Sequence, residues 1–227
     1  MQPEMKKQPM KKAFLFDLNG TVIDDMEFHA KAWYEILNND LNANLTWEQV
    51  KKEMYGKNDE LLVRIFGEGH FSDEKMKELS VEKERRYQKT YLPHLQLIKG
   101  LGSFFEKAHQ LNIPMAIGSA AIPFNVNFVL DGLHIRKYFS TVVSADDVLI
   151  SKPHPETFIK CAEQLQAKAE DCIVFEDSPK GVEAALKAGM KAVVIKTYHT
   201  IEEFAHLPNV LFSVDDYTDP KLEMLFL

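Results

Sequence analysis

The chain has 227 residues, 45% of them apolar, with 27 Lys and Arg against 34 Asp and Glu for a net charge of −7. That is enough apolar material for one large core and a smaller unit beside it, and the acid excess argues against a nucleic-acid partner. No apolar run approaches the roughly 20 residues that span a bilayer, which argues against a membrane partner, and Cys161 and Cys172 follow no metal or disulfide spacing, as suits a reducing, cytoplasmic setting.

Residues 1–10 are polar and read as disordered. The chain then runs Ala13-Phe14-Leu15-Phe16, apolar on both faces as a central parallel strand is. Asp17-Leu18-Asn19-Gly20-Thr21 follows, a turn that lifts Asp17 to the strand's carboxyl end, where open α/β sheets place their sites. There Asp17 is a nucleophile or a metal ligand; a carboxylate that attacks phosphorus needs a cation to screen its approach. Taken alone, the segment reads equally as a plain turn. A helical stretch follows at 24–37, with His29, Ala32, Trp33 and Ile36 on one face. Residues 46–55 open with a Thr-Trp-Glu-Gln capping box, 59–66 are apolar at helical spacing, and Ser72 opens a long helix to about Tyr91. Met54, Leu61, Leu62, Ile65 and Phe66 read as core.

Leu97 to Leu101 leads into a helix ending near Leu111, and 113–120 is a strand that ends in Ser119 and Ala120, small residues with a hydroxyl suited to a phosphate oxygen. Lys152, in Ser151-Lys152-Pro153-His154-Pro155, stands in a rigid loop before a helix, where a lysine can neutralise a transferring phosphoryl group. Residues 172–178 form another buried strand ending in Glu176-Asp177, oxygen ligands suited to Mg2+, and Gly181 lets backbone pack closely one turn later. The bland alternatives are a turn hydroxyl, a solvated lysine and acids at a helix start. Strands at 141–143, 173–175 and 192–195 alternate with helices at 155–165 and 179–188, with Ala188-Gly189 as a helix stop. Residues 210–214 add an edge strand, 215–218 a surface turn, and 222–227 pack down. This rhythm predicts an α/β fold, a doubly wound parallel sheet with crossover helices.

Four strand-end motifs in this order resemble the haloacid dehalogenase-like hydrolase superfamily, in its beta-phosphoglucomutase-like branch. The resemblance implies a Rossmannoid catalytic core over 11–24 and 96–227 with a small helical cap domain over 25–95. It implies Asp17 as the nucleophile that forms an aspartyl-phosphate, phosphate contacts from Ser119, Ala120 and Lys152, and Mg2+ held by Asp17, the main-chain carbonyl of Asn19, Glu176 and Asp177. His29 stands where the branch carries a histidine that reaches toward the substrate, and Lys57 lies in the loop that selects it.

Three positions depart from the pattern. The family has Asp where this chain has Asn19, and an amide cannot exchange a proton near neutral pH, so help of typically ~10²–10⁴-fold is forgone. A laboratory substitution, a natural member with weak turnover, and a replacement acid, for which His29 is the best candidate, all fit that position. The branch's mutases carry a lysine before the loop glycine and an arginine three residues after it, where this chain has Tyr55 and Asp59. The expectation is therefore a monomeric Mg2+-dependent phosphatase acting on a small phosphorylated metabolite such as a sugar phosphate, impaired by Asn19. Beta-phosphoglucomutase and a phosphate-binding protein with little turnover are the alternatives.

Overall fold

Strand β1, Ala13–Phe16, is buried from end to end, as its continuous apolar run requires. The computed structural model describes residues 12–227, so the expectations for residues 1–10 and for Lys11 fall outside it. Alternation along β1 feeds two cores. Phe14 and Phe16 join Phe104, Phe105, Val126 and Val129 on one face, and Ala13 and Leu15 join Phe158, Cys161 and Val182 on the other. Each fully buried ring contributes roughly 1.5–3 kcal/mol, and Phe16 stacks on Phe175 of a neighbouring strand with centroids 4.5 Å apart.

The other strands are β2 Met115–Gly118, β3 Thr141–Val143, β4 Cys172–Glu176, β5 Lys191–Ile195 and β6 Val210–Val214. All pair in parallel in the order β3-β2-β1-β4-β5-β6. The order reverses direction at β1, so a crevice opens between the carboxyl ends of β1, β2 and β4. The helices are α1 Met26–Glu35, α2 Trp47–Lys52, α3 Asn58–Phe66, α4 Asp73–Tyr91, α5 Leu101–Gln110, α6 Pro123–Gly132, α7 Glu156–Leu165 and α8 Pro179–Lys187. With α5 and α6 supplying one face of the sheet and α7 and α8 the other, the fold is the doubly wound α/β class that the alternating pattern predicts.

Helices α1 to α4 lie between β1 and β2 in the chain and gather an apolar cluster of their own, with Trp33, Ile36, Val50, Leu61, Leu62 and Leu79 at its centre. Thr46 caps α2 in a reciprocal box with Gln49, and the Ser72 side chain accepts from the Lys75 N–H to start α4. Tyr87 and Tyr91, farther along α4, join the sheet-side core instead.

Two expectations need correction. Residues 215–218 are not wholly a surface turn: Tyr217 is buried, packs on Phe104 and Phe175, and donates its hydroxyl to the Thr21 carbonyl at 3.1 Å. The ring turns inward because the following 3-10 segment, Pro220–Phe226, folds back on the sheet with Leu222 and Leu225 buried, while the last residue, Leu227, stays exposed. Helix α6 has no counterpart in the sequence reading. Its buried stripe contains Asn125 among Val126, Val129 and Leu130, and that amide breaks the apolar period. No helix among the described residues is long and apolar enough to cross a membrane.

Candidate active site

The crevice between β1, β2 and β4 receives polar groups from each strand end. Asp17 follows β1, Ser119 follows β2, and Glu176 and Asp177 close β4; all four are buried. The loop before α7 adds Lys152, also buried, whose ammonium donates to Asp17 Oδ1 at 2.5 Å and to Glu176 Oε1 at 2.8 Å. Glu176 Oε2 accepts from the Ser178 N–H and hydroxyl at 2.9 and 3.0 Å, so both of its oxygens have partners. Among the described residues, the one side-chain contact to the Asp177 carboxylate is a long 3.5 Å approach of the Thr21 hydroxyl. Ser119 accepts from the Ala121 N–H at 3.1 Å, which leaves its own hydroxyl proton to donate elsewhere.

Space for the acids comes from two glycines. A Cβ on Gly181 would lie 1.7 Å from Glu176 Oε1, and one on Gly20, at φ +81°, would lie 2.2 Å from Asp177 Oδ2. Any side chain at either place would displace a carboxylate.

Three buried carboxylates against one ammonium leave the cluster short of positive charge. Burial, which Lys152 opposes and Glu176 reinforces, pushes the Asp17 carboxyl up to about 7. Burial and then Glu176 lift Asp177 well above the ordinary carboxylate range. Burial works against the Lys152 charge, but Asp17 and Glu176 outweigh it and hold the ammonium protonated. Asp17, Glu176 and Asp177 each offer an oxygen within 4.8 Å of the others. A hard divalent cation such as Mg2+ fits this donor set and supplies the missing charge.

A second polar cluster faces the first across residue 19. Asp25, just before α1, takes the Gly20 N–H on Oδ1, and on Oδ2 the Tyr87 hydroxyl at 2.5 Å, the Asn19 amide at 2.6 Å and His29 Nε2 at 3.1 Å. The His29 ring stacks on Tyr87 with centroids 3.7 Å apart. Lys83 of α4 meets His29 Nδ1 at 2.8 Å and donates to Glu84 Oε1 at 2.8 Å. An ammonium can only donate, so Nδ1 accepts and the ring proton sits on Nε2, facing Asp25.

One cavity of about 120 Å3 joins both clusters, with Asp17, Asn19, His29, Ser119, Ala120 and Lys152 in its wall. Lys57 lines it too, but its ammonium donates to the Val148 carbonyl at 2.6 Å and ties α3 to the loop before Lys152. Beside it, Glu60 accepts from the Ser151 hydroxyl at 2.5 Å. Arg64, a conceivable substitute for the mutases' arginine, is committed to Glu53 and to the main chain of Glu53 and Tyr55, and its guanidinium lies over the Tyr55 ring.

Asp25, Lys83, Glu84 and Tyr87 escaped the sequence reading. The signal for two of them is the i, i+4 stripe Leu79, Lys83, Tyr87, Tyr91 on α4, where a lysine holds a position otherwise filled by buried side chains. Nothing local marks Asp25, which lies in a run of acids before α1.

A doubly wound sheet with a buried acidic cluster and a lysine at its switch point defines an α/β protein with a candidate metal centre. The chain belongs to the family described as haloacid dehalogenase-like hydrolase, which it matches over residues 14–195. It is 31% identical to the fructose-1-phosphate phosphatase YqaB of Escherichia coli, over 80% of this chain and 95% of that protein. It is 30% identical to the beta-phosphoglucomutase of Bacillus subtilis, over 80% of this chain and 82% of that one. A solved structure of a HAD hydrolase, family IA, variant 3, from Entamoeba histolytica superposes with a TM-score of 0.82 at 28% identity, covering 95% and 98% of the two chains.

Proposed function

We propose that this chain is a Mg2+-dependent phosphatase of the beta-phosphoglucomutase-like branch, acting on a small phosphorylated metabolite through an aspartyl-phosphate on Asp17. The observation that carries this reading is the Asp17 carboxylate under the Lys152 ammonium, beside Glu176 and Asp177 at the sheet's switch point. The remaining Asp17 oxygen attacks phosphorus as the ester P–O bond breaks; water then attacks the same phosphorus, the aspartyl P–O bond breaks, and inorganic phosphate leaves with Asp17 restored. Lys152 neutralises the equatorial oxygens, and the Ser119 hydroxyl donates to one of them. Asp17, Asp177 and the Asn19 carbonyl would hold Mg2+, with Glu176 closing the cluster, and the bound ion would supply charge neutralisation and alignment of the phosphoryl group. Residues 25–95, with the separate apolar cluster of α1 to α4, act in this reading as the cap that selects substrate.

The surroundings of residue 19 support impairment by Asn19. Its amide nitrogen lies 2.9 Å from His29 Nε2 while donating to Asp25, so two N–H donors face each other. A protonated carboxyl would satisfy both neighbours, accepting from His29 and donating to Asp25. The site thus suits an acid that delivers its proton to the leaving oxygen, which in the present chain must take it from solvent. Tyr55, Asp59 and the commitment of Arg64 favour a phosphatase over a mutase, which must hold two phosphates.

Phosphate release from a panel of small phosphoesters under Mg2+ tests the reading, comparing this chain with Asn19→Asp and with Asn19→Asp/Asp17→Ala. Turnover that rises in the first variant and vanishes in the second is expected. Folded, Mg2+-binding proteins that release phosphate from none of the panel would leave a binding role instead.

A further inference from the structure

Glu84 lies on α4, is 1% exposed, and lines the cavity that contains Asp17. Its Oε1 accepts from Lys83 at 2.8 Å and from the Asn58 amide at 3.1 Å. Its Oε2 is buried with no hydrogen-bond partner among the described residues; His29 Nδ1, 3.9 Å away, accepts from Lys83 and has no proton to offer. Burial opposes the charge on Glu84, but the Lys83 ammonium, helped by the Asn58 amide, outweighs it and holds the carboxyl below its ordinary range, so the group is an anion. A buried carboxylate oxygen left unpartnered is costly. Both oxygens of Asp25, Nδ1 of His29 and Oε1 of Glu84 are filled, so the open Oε2 is matched by a donor that arrives from outside. In a cavity of about 120 Å3 shared with the nucleophile, that donor belongs to the molecule carrying the phosphoryl group.

We propose that Glu84 is the specificity-determining residue of this cavity: Oε2 accepts a hydroxyl from the substrate's carbon skeleton, and the carboxylate turns away substrates bearing a second anionic group. The occupant is thus a neutral polyhydroxylated monophosphate, a sugar or polyol rather than a bisphosphate or a phosphorylated acid. Repulsion between a distal anion and a buried carboxylate is weakly screened, so the discrimination persists at physiological salt. The inference rests on the phosphatase reading for the identity of the phosphoryl site, but its test does not depend on turnover.

Calorimetric titration of the chain as it stands, with Mg2+ present, reads binding alone. The probes are glucose 6-phosphate, its monodeoxy analogues, and two anionic counterparts, 6-phosphogluconate and glucose 1,6-bisphosphate. The expected result is that one deoxy analogue and both probes with a second anionic group bind about 10- to 100-fold more weakly than the parent sugar phosphate. Glu84→Ala should bring that deoxy analogue level with the parent sugar. Glu84→Gln, which keeps an acceptor without the charge, should retain the hydroxyl preference in part and relax the rejection of the bisphosphate at least tenfold. Far-UV circular dichroism and a cooperative melting transition above the titration temperature establish that both variants fold. Equal binding of deoxy and parent sugars, a preference for the bisphosphate in the unsubstituted chain, or no binding of any probe overturns the proposal. Failure of Asn19→Asp to release phosphate while these binding ratios hold would overturn the phosphatase reading and leave Glu84 in place.

Discussion

The two polar clusters that meet at residue 19 are built on opposite principles. At the strand ends, Asp17, Glu176 and Asp177 crowd around one ammonium, and two of the acids are driven toward their neutral forms. On the helical side, Asp25 and Glu84 are knitted to His29, Lys83, Tyr87 and Asn58 by hydrogen bonds, and one oxygen is left over. Like charges buried without compensation destabilise a fold. The first cluster therefore makes physical sense as a receptor for a cation and a phosphoryl group, and the second as a largely self-satisfied wall that adds one point of recognition.

The largest expected effect lies where the clusters touch. Asn19→Asp should raise kcat about 10²–10⁴-fold in a continuous phosphate-release assay; an unchanged rate would mean that the helical cluster serves no proton transfer. Next comes Gly181→Ala, whose Cβ would collide with Glu176 and shift both that carboxylate and Lys152. Mg2+ affinity, read by calorimetry, should fall about 10- to 100-fold, whereas equal affinity would show that Glu176 is dispensable to the metal.

The pH response separates the clusters further. With Asp17 titrating near 7 in the metal-free protein, Mg2+ binding below that pH displaces a proton, and affinity should drop about tenfold per unit of acidification. The stability sign follows from the same shift. Between the ordinary carboxylate range and pH 7 the folded chain holds a proton that the unfolded chain has released, so metal-free stability falls as pH rises through that window. Mg2+ should therefore raise the melting midpoint more at pH 8 than at pH 5.5; a pH-independent rise would contradict an uncompensated strand-end cluster. The smallest effect is expected from Tyr87→Phe, which removes one of the donors to Asp25 and should cost about 0.5–1.5 kcal/mol in urea unfolding. Mg2+ affinity should stay as it was, since the strand ends are untouched.

What could be read from sequence tracks how local each signal is. Strand β1 and its Asp17 turn, the Glu176-Asp177 end of β4, and Lys152 before α7 announce themselves within a few residues, because a buried parallel strand is a continuous apolar run and its functional group sits at the end. The starts of α2 and α4 were legible from the Thr46 and Ser72 caps and α3 from its apolar spacing, although α2 stops at Lys52 rather than near Tyr55. Helix α6 was hidden by Asn125 in its buried stripe. Tyr217 and the Lys83-Glu84 pair could not be placed, because each is buried by packing against residues remote in sequence. Lys57 could be assigned to its loop, but its bond to Val148 depends on how α3 meets the sheet.

The turn that carries Asp17 is fastened by distant chain as well as by its own backbone and Asp25. Lys152 reaches it across 135 residues, the Asp177 contact to Thr21 spans 156, and the Tyr217 hydroxyl bonds the Thr21 carbonyl across 196. During synthesis Asp17 leaves the ribosome well before the lysine, the acids and the tyrosine that complete its surroundings. A nascent chain that has not reached residue 217 carries the Asp17 carboxylate without the brace beneath its turn, so the turn is complete only after chain 196 residues beyond Thr21 has been made.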